Sequence, residues 1–207
     1  MTEKLDRWTV GYFENSLRSP TAELCSMTGS ARLFWYQSGG KMRRVKELLL
    51  WDQEMASVRG RLGDIPAAKR FALAVSALDW TIQTMVRPIE TGKVSSYLRQ
   101  GLRVCREAVQ AGSVSVQLSE GMLVEYDEID EVADEPGTSQ MLSALLACGE
   151  TGEELSGEQL YGVLSFCYEG SLDREGIDNW TIEKERANPR CLAVIDYQKS
   201  LILRMMG

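Results

Sequence analysis

Apolar residues recur along this chain at intervals of three and four, the period of an amphipathic helix. Leu5, Trp8, Tyr12 and Phe13 share one such face, with Leu17 beside it. Ser19-Pro20 supplies a helix start, because proline at the first helical position loses no needed N–H. Leu24, Met27, Ala31, Phe34 and Trp35 continue an apolar stripe that Gly39-Gly40 stops. From Lys41 to Arg59 the sequence predicts a basic helix. It is charged at Lys41, Arg43, Arg44 and Lys46 and apolar at Val45, Leu48, Leu49, Trp51 and Met55.

Asp64 and Pro66 open the next helix, with Phe71, Val75, Leu78, Ile82 and Met85 spaced for one buried face. This stretch is apolar enough to be the central helix, and Pro88 ends or kinks it. A further helix is expected from Val94 to Ala111. Val114, Val116 and Leu118 then alternate with polar residues, a period of two that predicts at most one short extended segment at 113–118. Residues 120–137 hold eight acidic side chains and end in Pro136-Gly137, so they are expected to be an irregular, solvated connection. Thr138 or Ser139 caps a short helix. Ser156 with Gln159 forms a capping box before LYGVLSFCY, and Asn188-Pro189 starts a last helix. The expected fold is all-α, bundle-like, with about eight helices. It reads as a single domain over 1–207, or as two lobes, 1–112 and 138–207, joined by the acidic connection 113–137.

Charge sharpens this picture. Residues 107–173 contain no Lys, Arg or His and 15 acidic residues. Residues 1–106 carry 17 basic and 10 acidic side chains, and residues 174–207 carry 6 and 5. The net charge of −7 therefore combines a basic half with a strongly acidic stretch. Such a field attracts and orients a basic partner and repels nucleic acid and anionic membranes. No apolar run approaches the ~20 residues of a membrane span. The opening MTEKLDRWTVGYFENSL lacks a basic segment followed by an apolar core, so a cytoplasmic location is expected.

The chain has no histidine, which excludes His-based triads, His general bases and His-ligated zinc. Cys25, Cys105, Cys148, Cys167 and Cys191 are widely spaced among apolar neighbours, without a CxxC, and read as buried reduced thiols. YDEIDEVADE, at 126–135, lacks the spacing of a calcium loop. Ser38-Gly39-Gly40-Lys41 lacks the phosphate-loop spacing, and Gly149-Glu150-Thr151-Gly152 is flanked by acids; both read as helix stops. KMRRVK, at 41–46, is followed at once by Glu47, Asp52 and Glu54, so it reads as a solvated face rather than a nucleic-acid contact. No catalytic group, cofactor or metal ligand is assigned.

The acidic residues Glu125, Asp127, Glu128, Asp130, Glu131, Asp134 and Glu135 are the expected partner-binding face, with Tyr126 and Trp180 as aromatic anchors. The helical LDWTIQTMVRPIE (78–90) and EQLYGVLSFCY (158–168), with acidic segments around them, resemble the helical immunity proteins of bacterial toxin–immunity systems. That resemblance implies a cytoplasmic, non-enzymatic protein that neutralises a cognate toxin domain by protein–protein contact. Two other readings fit the sequence. One is an acidic chaperone or adaptor for a secreted effector, expected to be dimeric. The other is an enzyme whose carboxylate or thiol chemistry follows no recognisable pattern. The oligomeric state is not encoded in any pattern found here.

Overall fold

The computed structural model describes residues 34–38, 41–45, 49–130, 133–150, 152–177 and 180–206. The chain forms two compact units, Met1–Lys46 and Glu47–Gly207. In the first, strands β1 (Phe34–Ser38) and β2 (Lys41–Val45) pair antiparallel, from Phe34 opposite Val45 to Ser38 opposite Lys41. This corrects the helices expected through Trp35 and from Lys41 onward. Aromatic residues favour strands, and a Gly-Gly dipeptide between two runs is a hairpin signal. Here those local preferences override the period of three and four. The predicted helix around Leu5 to Leu17 lies outside the described residues.

The second unit is all-α. Among its described residues are eight α-helices: α1 (Leu50–Arg59), α2 (Ala67–Gln83), α3 (Gly92–Gln110), α4 (Glu120–Asp130), α5 (Thr138–Gly149), α6 (Gly157–Glu175), α7 (Ile182–Ala187) and α8 (Pro189–Met206). The chain enters α6 through the expected capping box, with Ser156 Oγ accepting from Gln159 N and Gln159 Oε1 accepting from Ser156 N. It enters α8 at Asn188, whose Oδ1 accepts from Arg190 N and Cys191 N. Helix α5 departs from expectation. Its N-cap is Gly137, at φ +80°, while the Thr138 hydroxyl donates back to the carbonyls of Glu135 and Ala133.

Helices α2 and α6 form the centre, each packed against α5, α8 and the other. Phe71, Leu73, Ala74, Leu78, Leu160, Val163, Leu164 and Tyr168 are all buried between them and their neighbours. Within the second unit, residues 49–112 and 138–206 share this core, because α2 and α3 pack on α5. The segment 113–119 forms neither helix nor strand and bends at Val114, and Leu118 N donates to Gly149 O.

Polar groups inside the core are paired. Trp51 Nε1 donates to Gln198 Oε1 at 2.7 Å, and Gln198 Nε2 donates to Leu164 O at 2.9 Å. Glu185, 1% exposed, accepts from Leu50 N at 2.9 Å and from the Tyr168 hydroxyl at 2.6 Å, pinning the first turn of α1. Buried Arg70 donates to the carbonyls of Leu155, Gly63 and Ile65. Among the described residues no buried side-chain nitrogen or oxygen lacks a partner, as close packing in a low-dielectric interior demands.

Candidate protein-interaction surface

The acidic run 120–130 is helix α4, not the irregular connection its charge suggests. Met122, Tyr126 and Ile129 recur at intervals of four and three and are its buried positions, so a single apolar stripe anchors it. The Tyr97 hydroxyl of α3 donates to Met122 O at 3.0 Å, and the Tyr97 and Tyr126 rings lie 6.5 Å apart. These contacts with α3, and a few with α5, seat the helix and leave its other face to solvent.

That outer face carries Glu120, Glu125, Asp127 and Glu128, all exposed, and Val124, 58% exposed. Glu120, Asp127 and Glu128 stand at i−4, i+3 and i+4 from Val124. These are the positions whose side chains neighbour it on a helix surface. Val124 is thus an exposed apolar centre with an acidic rim. Of the other exposed large hydrophobics among the described residues, Val86, Val114, Leu192 and Leu203, none has acids at all three of those positions. The negative field is felt in the seam below. Burial is the first cause that pushes the Tyr97 hydroxyl up to about 12, and Glu125 and Asp127 add to it.

The predicted partner-binding residues divide sharply. Glu125, Asp127, Glu128, Asp130 and Asp134 are exposed. Asp130 also accepts from Ser139 Oγ at 3.3 Å. Glu131 lies outside the described residues. Tyr126 is 5% exposed and its hydroxyl is pushed up to about 12, mainly by burial, so it is a core side chain and not an exposed anchor. Trp180 is half-buried against the core. Glu135 is a structural clamp. Its carboxylate accepts from Thr91 N and Oγ1, from Glu90 N at 3.1 Å and from Arg174 Nη2 at 2.9 Å. The Thr91 hydroxyl is the first of the causes that hold this carboxyl down at about 2. Arg174, almost fully buried, also donates to the carbonyls of Arg87, Pro88 and Pro136, tying three segments together.

The sequence pattern gives Val124 and Glu120 no role, because the charge density of residues 120–137 predicts an irregular, solvated connection. Read at helical spacing, Met122, Tyr126 and Ile129 form the stripe that would have revealed the opposite, acid-rimmed face.

The nucleophile and acid–base candidates sit elsewhere, in closed surroundings. Cys105, Cys148, Cys167 and Cys191 are unpaired and buried. Burial pushes their thiols up, to about 12 for Cys105 and Cys167, the opposite of what a reactive thiol needs. The Glu185 carboxyl is raised by burial but is sealed by Tyr168 and Leu50. No group of acidic or cysteine side chains among the described residues is arranged to hold a metal ion. No described helix is long and apolar enough to cross a membrane. Comparison of the chain with protein-family models, with curated proteins and with solved structures found no match.

Proposed function

We propose that this chain is a binding protein of the immunity type, which neutralises a basic bacterial toxin domain by laying the outer face of α4 against it. The observation that carries the reading is the exposed Val124 inside its rim of Glu120, Asp127 and Glu128. A cationic active-site cleft would be drawn in by long-range attraction, which speeds encounter and weakens with salt. Val124 would then be covered at the centre of the contact. Loss of water from an apolar centre bounded by charge favours slow dissociation. The net charge of −11 over residues 47–207 adds to the attraction, since that unit holds 15 basic and 26 acidic residues.

The test begins with capture of partners from a bacterial lysate at about 0.1 M and about 1 M salt, where surface charges are progressively screened. The decisive measurement is the association rate of the captured protein with the Glu120→Lys/Asp127→Lys/Glu128→Lys variant. A basic toxin domain whose association slows about tenfold or more at low salt, and which the wild type inhibits, is the expected result. An unchanged rate at low salt would sink the assignment to α4. Recovery of an unfolded secreted effector, bound by an extended segment, would replace it with the chaperone reading.

A further inference from the structure

Helices α2, α3 and α8 run against the charge of the unit they belong to. Together they carry nine basic and three acidic side chains, in a unit whose net charge is −11. Helix α2 packs against both of the others. Partly exposed side chains join the three helices. Arg106 of α3 donates to both oxygens of Asp79 on α2, Nε to Oδ2 at 3.0 Å and Nη2 to Oδ1 at 2.5 Å. Trp80, the next residue, stacks on Tyr197 of α8, with ring centroids 4.1 Å apart and planes 12° apart. Both rings are half-buried. Arg190 of α8 holds its guanidinium 4.7 Å from the centre of the Trp80 ring and donates to Thr81 O at 3.3 Å. The Tyr197 hydroxyl is raised chiefly by burial; Arg204 pulls it down and Asp79 pushes it up, so both charges reach that ring.

From Arg106 the positive charge continues along α3. Arg99, Arg103 and Arg106 recur at i, i+4 and i+7, over about 10 Å, and all three are exposed. With Ser96 and Gln100 they line one shallow surface depression. Arg99 donates to a neutral hydroxyl, Ser95 Oγ, at 3.4 Å. Arg103 has no hydrogen-bond or ion-pair partner among the described residues, although Glu107, the one acid of α3, stands four residues on. Two features distinguish this face from a merely solvated one. The cations along α3 and around the aromatic pair are arginines, whose planar guanidinium pairs bidentately with carboxylates. Tryptophan, tyrosine and arginine are also the residues enriched at binding hot spots, and stacking holds Trp80 and Tyr197 in place before a partner arrives.

We infer that α3, α2 and α8 form a second binding face, for a protein partner that presents a short acidic segment. Its carboxylates pair with Arg99 and Arg103, and it covers Trp80 and Tyr197 beyond Arg106. A nucleic acid suits this face less well. It carries one charge per about 3.4 Å of strand and would run on past the arginines over a unit that repels it. Its bases would need ring faces on which to stack, and the Trp80 ring is already engaged by Tyr197 and Arg190. A protein segment brings a few carboxylates and ends. At a Debye length of about 10 Å, that local attraction outlasts repulsion from acids farther away. The face shares no residue with the acidic side of α4, so it goes beyond the toxin-binding reading and stands whether or not that reading does.

The test is a titration of the isotope-labelled full chain with a decaglutamate peptide, followed by amide and indole NMR shifts at about 0.1 M and about 1 M salt. At the lower salt the Trp80 indole should shift, together with the amides of Arg99, Arg103 and Tyr197. The Trp51 indole, fully buried and bonded to Gln198, should stay in place. At the higher salt the shifts should vanish. Arg99→Glu/Arg103→Glu should raise the peptide's dissociation constant about tenfold or more. Tyr197→Ala, which removes the stack on Trp80, should raise it about fivefold. Arg99→Gln/Arg103→Gln, which removes charge without reversing it, replaces the first variant where its spectrum shows it unfolded. A spectrum unmoved by millimolar peptide at the lower salt overturns the inference. So do shifts that map to other helices, or that survive in the arginine variants. A decathymidine DNA that moves the same resonances at lower concentration than the peptide would assign the face to nucleic acid and overturn the protein partner. The arginine variants leave α4 untouched. Peptide binding can therefore fail while the basic partner of α4 is still captured, and the reverse, so the two proposals fail separately.

Discussion

Helices α6 and α4 divide the labour of this fold. Helix α6 buries 11 of its 19 residues and touches α1, α2, α5 and α8. Helix α4 buries 3 of its 11 and touches α3 and α5. The first is surrounded, so nearly every substitution in it is felt as a change in packing. The second is held by one stripe, so its outer face is free to carry charge with little effect on folding. A helix displayed in this way is where a protein places recognition chemistry that its core does not constrain.

The contrast breaks if core and display prove equally sensitive. Leu164→Ala, at a fully buried position of α6, should cost about 2–5 kcal/mol through lost burial and the cavity left behind. Denaturant unfolding measures it, and a loss of less than about 1 kcal/mol would mean that α6 is not the centre of the core.

Next comes the carboxylate that ties α1 to the same core. Removal of Glu185 by Ala leaves Leu50 N and the Tyr168 hydroxyl buried without an acceptor, at a cost of about 2–4 kcal/mol. Gln keeps one acceptor oxygen for both donors, which should hold the loss near 1 kcal/mol. The sign of the pH dependence follows from burial, which raises this carboxyl. A raised group contributes stability fully below its unfolded value, about 4.3, and loses it as pH rises through the folded value. Glu185→Gln should remove that slope, visible in the unfolding midpoint as a function of pH.

Glu135 is the opposite case, and it separates clamp from display within one acidic run. Its folded value, about 2, lies below that of an ordinary carboxyl. Its contribution is therefore present above about pH 4.3 and is lost as pH falls toward 2. The side chain is one-fifth exposed, so the contribution is on the order of 2 kcal/mol. Glu135→Gln should flatten acid unfolding across that window while leaving partner association unchanged.

The smallest effect on stability is expected for Asp127→Lys/Glu128→Lys, within about 0.5 kcal/mol, since both side chains are solvated. A larger loss would show that the outer face of α4 is part of the folding core after all.

Much of the second unit was legible in the chain. The Ser156/Gln159 capping box, the Asn188-Pro189 start and the apolar period through Phe71, Val75 and Leu78 are local signals. They specify helices because they satisfy or bury groups within a few residues of themselves. The hairpin of Phe34–Ser38 and Lys41–Val45 is not legible in the spacing, because aromatic and glycine preferences compete there with a helical period. The acidic helix is hidden in the sequence because its charge density masks three apolar residues, Met122, Tyr126 and Ile129, at helical intervals.

What the sequence determined by itself was the class of protein: helical, histidine-free, and strongly acidic between Glu107 and Asp173. Those are properties of composition and of short-range spacing. Which acids face solvent was decided only by the tertiary structure. Glu125, Asp127 and Glu128 are displayed, Glu135 is locked by Thr91 and Arg174, and Tyr126 is turned into the seam with Tyr97. Arg174 lies 39 residues from Glu135 and Tyr97 lies 29 from Tyr126. A charge run records how many like charges are present. Only the packing of distant segments determines which of them water can reach.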